Sequence, residues 1–146
     1  MGGEAAAGAG GSGGWPDVMA DERYVRFAAH FNGDRDYFEC HELMEELWLE
    51  EGRHPLLQGL LQAAVGLYHW NNGNRGGAVK LMEQALRKLE GYAGQVLGLD
   101  LDALRRDLIR SLERLKEFPD SAPFEPFLLN VTDAELAALI HHLHSP

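Results

Sequence analysis

Leu56-Leu57-Gln58-Gly59-Leu60-Leu61-Gln62-Ala63-Ala64-Val65-Gly66-Leu67-Tyr68-His69-Trp70 is the most apolar stretch of the chain, and Gln58, Gln62 and His69 are what interrupt it. A bilayer-spanning helix needs about 20 consecutive apolar residues, so this stretch is too short to be one. A helix that is apolar nearly all round belongs in a protein core, and residues 56–72 are expected to form the central helix of a bundle. Gly59, Ala63 and Gly66 fall on one side of it. Glycine costs a helix interior up to ~1 kcal/mol relative to alanine, so two of them on one side predict a neighbouring backbone in close approach. Gln58, Gln62 and His69 line up on another side as a polar seam, which needs partners if it is buried.

Apolar residues recur at helical spacing on both sides of this segment, and the alternation of half-buried strands never runs for long. Helices are expected over 17–31 (stopped by Asn32-Gly33), 36–51 (stopped by Gly52), 75–91 and 100–118. Thr132 and Glu135 have the spacing of a capping box and predict a last short helix to about His144. The fold class is therefore all-α, a compact bundle of about five to six helices around the apolar one. Residues 1–14 hold seven Gly and four Ala with Glu4 as the single charge, which reads as a disordered leader ahead of one domain over 15–146. Gly66, Ala78 and Ala85 resemble the small residues of one tetratricopeptide hairpin. With no second copy 34 residues on, this implies an antiparallel helix pair and no solenoid.

The 146 residues carry 13 Lys+Arg against 23 Asp+Glu, a formal net charge of −10. Sequence-independent nucleic-acid binding rests on cations that replace phosphate counterions, so nucleic acid is excluded as a partner, and so is the membrane. The Arg106, Arg110 and Arg114 stripe is flanked by Asp107, Glu113 and Glu117 and reads as an ion-paired surface. Cys40 is the single cysteine, so no intrachain disulfide exists, and a cytoplasmic home is expected. A chain of this length, 45% hydrophobic, buries enough surface to fold without a structural metal.

The chemistry concentrates in Tyr37-Phe38-Glu39-Cys40-His41-Glu42-Leu43-Met44-Glu45-Glu46-Leu47-Trp48. On a helix, Tyr37, Cys40, Met44, Leu47 and Trp48 form the buried stripe, and His41 lies within it with Glu45 one turn on. Side chains four apart sit ~5–6 Å from each other at Cβ, close enough to share a proton or a metal ion. Residues 34–51 hold eight acids against one base, a local net of −7 that calls for Arg23 and Arg26 nearby or for a cation. If this seam meets the Gln58, Gln62 and His69 seam, two readings follow. In the first, His41, Glu45, Gln58, Gln62 and His69 are a buried polar cluster that locks helix register in a non-enzymatic interaction or scaffold module, with no cofactor. In the second, His41, Glu45 and His69 ligate Zn, Mn or Fe in a divalent-metal-dependent hydrolase, with Glu39 or Glu42 as the general base.

Phe31-Asn32, Tyr37-Phe38-Glu39-Cys40-His41-Glu42 with Leu43, Glu45 and Trp48, then Gln58-Gly59-Leu60-Leu61-Gln62-Ala63-Ala64, Tyr68-His69, Gly73-Asn74 and Gly77-Ala78 together resemble domain-of-unknown-function family number 309. The likeness covers about residues 20–91. It implies a small all-helical, soluble bundle with no assigned activity, marked by Glu39, His41, Glu42, Glu45, Gln62 and His69. A protein partner of unspecified identity and a homodimer through Trp70 or the segment 124–129 complete the expectations.

Overall fold

The computed structural model describes residues 14–118 and 122–144. Among these, seven helices and one small β-ribbon follow in the order α1 (Gly14–Ala20), α2 (Glu22–Asn32), α3 (Tyr37–Glu50), α4 (Pro55–Asn71), α5 (Arg75–Leu89), β1 (Gln95–Val96), β2 (Leu99–Asp100), α6 (Leu101–Glu117) and α7 (Ala134–Leu143). Apart from Gly14, which opens α1, the leader expected over 1–14 lies outside the described residues.

Two helices stand where one is predicted over 17–31. Asp21 turns extended (ψ 132°) and its carboxylate accepts the Arg23 N–H at 2.8 Å, so it ends α1 and caps α2. Seven helices therefore replace the expected five to six. Another departure from the expectation is the capping residue of the last helix. Asp133, not Thr132, accepts the Leu136 N–H at 2.8 Å, and Thr132 is held one residue ahead of the cap by its N–H bond to the Gly98 carbonyl at 2.7 Å. The ribbon is unpredicted since strands of two residues show no alternation. Its turn is Leu97-Gly98 with φ of 57° and 73°, the mirror-image geometry that suits a tight hairpin. Leucine rarely adopts that conformation, and the Tyr24 hydroxyl holds it by donating to the Leu97 carbonyl at 2.6 Å.

As expected, α4 is the central helix, with α3 on one side, α5 on another, and Leu56, Leu57, Leu60, Ala63, Ala64 and Leu67 wholly buried. A Cβ on Gly66 would sit 2.7 Å from Met82 Cγ, and one on Gly59 would sit 2.9 Å from Leu89 Cδ2. The pairings 66 with 82 and 59 with 89 run in opposite directions, so α4 and α5 are an antiparallel hairpin in close contact. Helix α6 packs on α5, and α7 on α2. The Asn32 side chain accepts the Leu129 N–H and donates to the Leu129 carbonyl, both at 2.8 Å, tying the C-terminal segment to α2. Trp70, expected at an exposed association surface, is instead 5% exposed. The Phe124 ring covers it edge-on at 5.6 Å, and its indole N–H donates to the Ala122 carbonyl. No helix among the described residues is long and apolar enough to cross a membrane.

Candidate functional site

Helix α3 starts at Asp36, whose carboxylate accepts the Glu39 N–H at 3.0 Å. It buries Tyr37, Cys40, Met44 and Leu47, which turns His41, Glu42 and Glu45 to the rim. The His41 side chain is about one third exposed (36%). Its Nδ1 lies 3.1 Å from Glu42 Oε2 and its Nε2 lies 3.6 Å from Glu45 Oε1. A carboxylate only accepts, so a hydrogen on Nδ1 donates to Glu42, and Nε2 faces a second carboxylate. That gap between nitrogen and carboxylate is closed either by a proton on an imidazolium, as an ion pair, or by a metal ion. Ligands at 2.0–2.2 Å from one zinc ion in tetrahedral array stand roughly 3.3–3.6 Å apart, as Nε2 and Glu45 Oε1 do. Glu42 on Nδ1 supplies the orienting carboxylate that ligating histidines commonly have. One ligand atom each from His41, Glu42 and Glu45 lies within 4.8 Å of the others, a potential metal-coordinating cluster.

The seam on α4 divides. Gln62 is buried, but its Nε2 donates to Gln84 Oε1 on α5 at 3.0 Å, away from α3. Gln58 is half-buried one turn earlier. His69 Nδ1 meets the Asn74 side-chain amide at 3.3 Å. The polar network is thus Gln62 with Gln84 and Asn74 with His69, while His41 pairs within its own helix. The two seams meet at the histidines alone: His41 and His69 line one cavity of about 170 Å³ with Tyr37, Phe38, Val65 and Tyr68.

Glu39 borders a shallow groove with Glu42, Leu43, Glu45, Glu46 and Leu49. The expected compensation of this acidic ridge comes from Arg23, which holds Glu50 at 2.8 Å and approaches Glu46 at 3.8 Å, whereas Arg26 approaches Glu22. Burial pushes the Cys40 thiol far above its ordinary range, and its Sγ donates to the Phe27 carbonyl, so it is a core residue and no nucleophile. A second cluster, His30, Asp34 and Asp36, escaped the sequence reading although His30 and Asp34 stand four apart. It serves the loop between α2 and α3. Asp34 Oδ1 meets His30 Nδ1 at 3.0 Å and accepts the Asp36 N–H at 3.2 Å, and the His30 hydrogen bond holds its pKa below the usual carboxylate range.

Residues 24–81, which include α3, α4 and every residue of this site, match the sequence pattern described as Domain of unknown function (DUF309). The chain is 34% identical over 123 residues to the uncharacterized protein YpuF of Bacillus subtilis (strain 168), a match that covers 81% of this chain and 69% of that protein. The chain belongs to the DUF309 family. A further match, 27% identical over 73 residues, is to an uncharacterized protein of Aquifex aeolicus (strain VF5) and covers 48% of this chain but 22% of that longer protein. The ribbon, α6 and α7 lie outside the residues that carry the DUF309 pattern.

Proposed function

We propose that this DUF309 protein binds one divalent transition-metal ion at the rim of α3, with His41 Nε2 and Glu45 as ligands and Glu42 orienting the imidazole. The observation that carries the reading is the cluster of His41, Glu42 and Glu45, with His41 Nε2 set 3.6 Å from the Glu45 carboxylate while Nδ1 is held by Glu42. Imidazole and carboxylate together suit Zn, Mn or Fe. His69 stands across the cavity, but its Nδ1 is engaged by the Asn74 side-chain amide and it is not counted among the ligands. Two protein ligands leave coordination positions for water, and a metal ion supplies a hydroxide-like nucleophile at neutral pH, so hydrolysis is the reaction class this site suits. With Glu42 engaged by His41, Glu39 on the adjoining groove is the carboxylate left for general-base work.

The test is elemental analysis and zinc titration of untagged protein in which His141, His142 and His144 are replaced by alanine, so that the C-terminal histidines contribute nothing. One metal per chain is expected, lost in both His41→Ala and Glu45→Gln. Titration that ignores both substitutions would sink the reading. A second reading, a non-enzymatic interaction module, draws on the outer face of α3, where Glu39, Glu42 and Glu46 flank Leu43 and Leu49 and suit a basic segment with an apolar edge.

A further inference from the structure

We propose that α7 is a self-association helix, through which two copies of this chain pair antiparallel about a two-fold axis beside Leu139. Seven of the ten residues of α7 are apolar, yet only Leu136 among them is buried. Helix α4, by contrast, buries eleven of its 17 residues. Leu136 and the half-buried Ile140 set the core side of α7, while Leu139 and Leu143 are left 38% and 44% exposed. A helix this apolar belongs against a partner surface, and α2 covers one side of it alone.

The stripe that α7 presents to solvent fits its own copy. Glu135, Ala138, Leu139 and His142 are all exposed and stand at i, i+3, i+4 and i+7, one face of a helix. At 3.6 residues per turn, that face lies roughly 110° round the helix from Leu136, clear of the core. Two such faces run antiparallel, with the two-fold axis between positions 138 and 139, set Leu139 against its copy and Ala138 against its copy. The same register sets Glu135 opposite His142 of the second copy, twice. Apolar and charged positions are thus satisfied together, as an isologous contact requires. A parallel pairing would oppose Glu135 to Glu135, and it would align the two helix dipoles rather than oppose them. A membrane surface would call for Lys or Arg on the polar side of α7, which has neither. One ten-residue helix supplies less than the roughly 800 Å² per partner of a standard interface, so the pairing is concentration-dependent. The inference does not depend on the metal reading.

Sedimentation of the full chain from about 5 to 500 µM tests it, with EDTA present so that no metal bridges the C-terminal histidines. The mass should rise from 16.2 kDa toward twice that value. Leu139→Glu, at an exposed position, should keep the urea midpoint of the parent and stay monomeric throughout. Glu135→Gln removes both symmetry-related pairs and should weaken association roughly two- to thirtyfold. Disulfide capture reads the register. Ala138→Cys should link two chains under mild oxidation, and Ala137→Cys, turned away from the stripe, should not, while the buried Cys40 stays out of the exchange. A monomer across the whole range, a dimer that survives Leu139→Glu, association indifferent to Glu135→Gln, or capture at 137 as readily as at 138 would each overturn the proposal.

Discussion

Helix α4 meets its two neighbours in opposite ways. Toward α5 it turns Gly59, Ala63 and Gly66, and the backbones close until no Cβ fits at either glycine. Toward the N-terminal half of α3 it turns Val65, Tyr68 and His69, and rings too large to interdigitate leave a cavity with two imidazoles on its wall. Small residues accompany the tight seam and large rings the loose one. The seam with α5 trades helix propensity for dispersion contact, and the seam with α3 gives up packing for accessible chemistry.

The sharpest way to break the contrast is to give the tight seam a side chain. Gly66→Ala places a methyl 2.7 Å from Met82 Cγ and should cost about 1–3 kcal/mol in urea denaturation. Gly76→Ala on α5, where a Cβ meets nothing within 4 Å, should instead gain up to about 1 kcal/mol. Equal effects at the two glycines would dissolve the distinction.

A second test separates the buried and exposed sides of α3. The Cys40 pKa is raised from 9.0 by burial, and Tyr37 is pushed up to about 12. A raised folded-state value means that the unfolded chain loses its proton first. The stability involved is complete below pH 9 and falls as pH rises, by up to about 1.4 kcal/mol per pH unit for each group. Urea midpoints measured from pH 8 to 11 should show this decline, and Cys40→Ala should remove the part that sets in at about pH 9, leaving the tyrosine part above pH 10. The smallest effect is expected at the rim. In metal-free protein, His41→Ala should change stability by less than about 1 kcal/mol, since its pairs with Glu42 and Glu45 are between partly exposed groups. A loss of several kcal/mol would restore the buried lock in place of an open site.

The helices were legible because their signals are local: Gly52 and Pro55 bound α3 and α4, and the all-round apolarity of 56–70 marks a core helix. The small residues of α4 were legible for the same reason, since their spacing defines a face. What stayed hidden depends on neighbours distant in sequence. Gln62 reads as part of one seam with His69, yet the rotation of α4 turns it to Gln84. Trp70 reads as an exposed ring until the segment around Phe124 folds over it. Leu97-Gly98 reads as plain loop, and the Tyr24 hydroxyl makes it a hairpin turn.

By itself the sequence determined an all-helical bundle, its central helix, the antiparallel α4–α5 hairpin and the acidic, histidine-bearing face of α3. Periodicity, caps and side-chain volume carry that information within one or two turns of chain. Only the tertiary structure decided which polar groups meet. It joined His41 to Glu42 and Glu45 on one helix, gave His69 to Asn74, left the Tyr37 hydroxyl without a partner among the described residues, and set both histidines on one cavity. Hydrogen bonds act over about 3 Å, a tolerance finer than any helical wheel, so partners are chosen by how the helices rotate and approach.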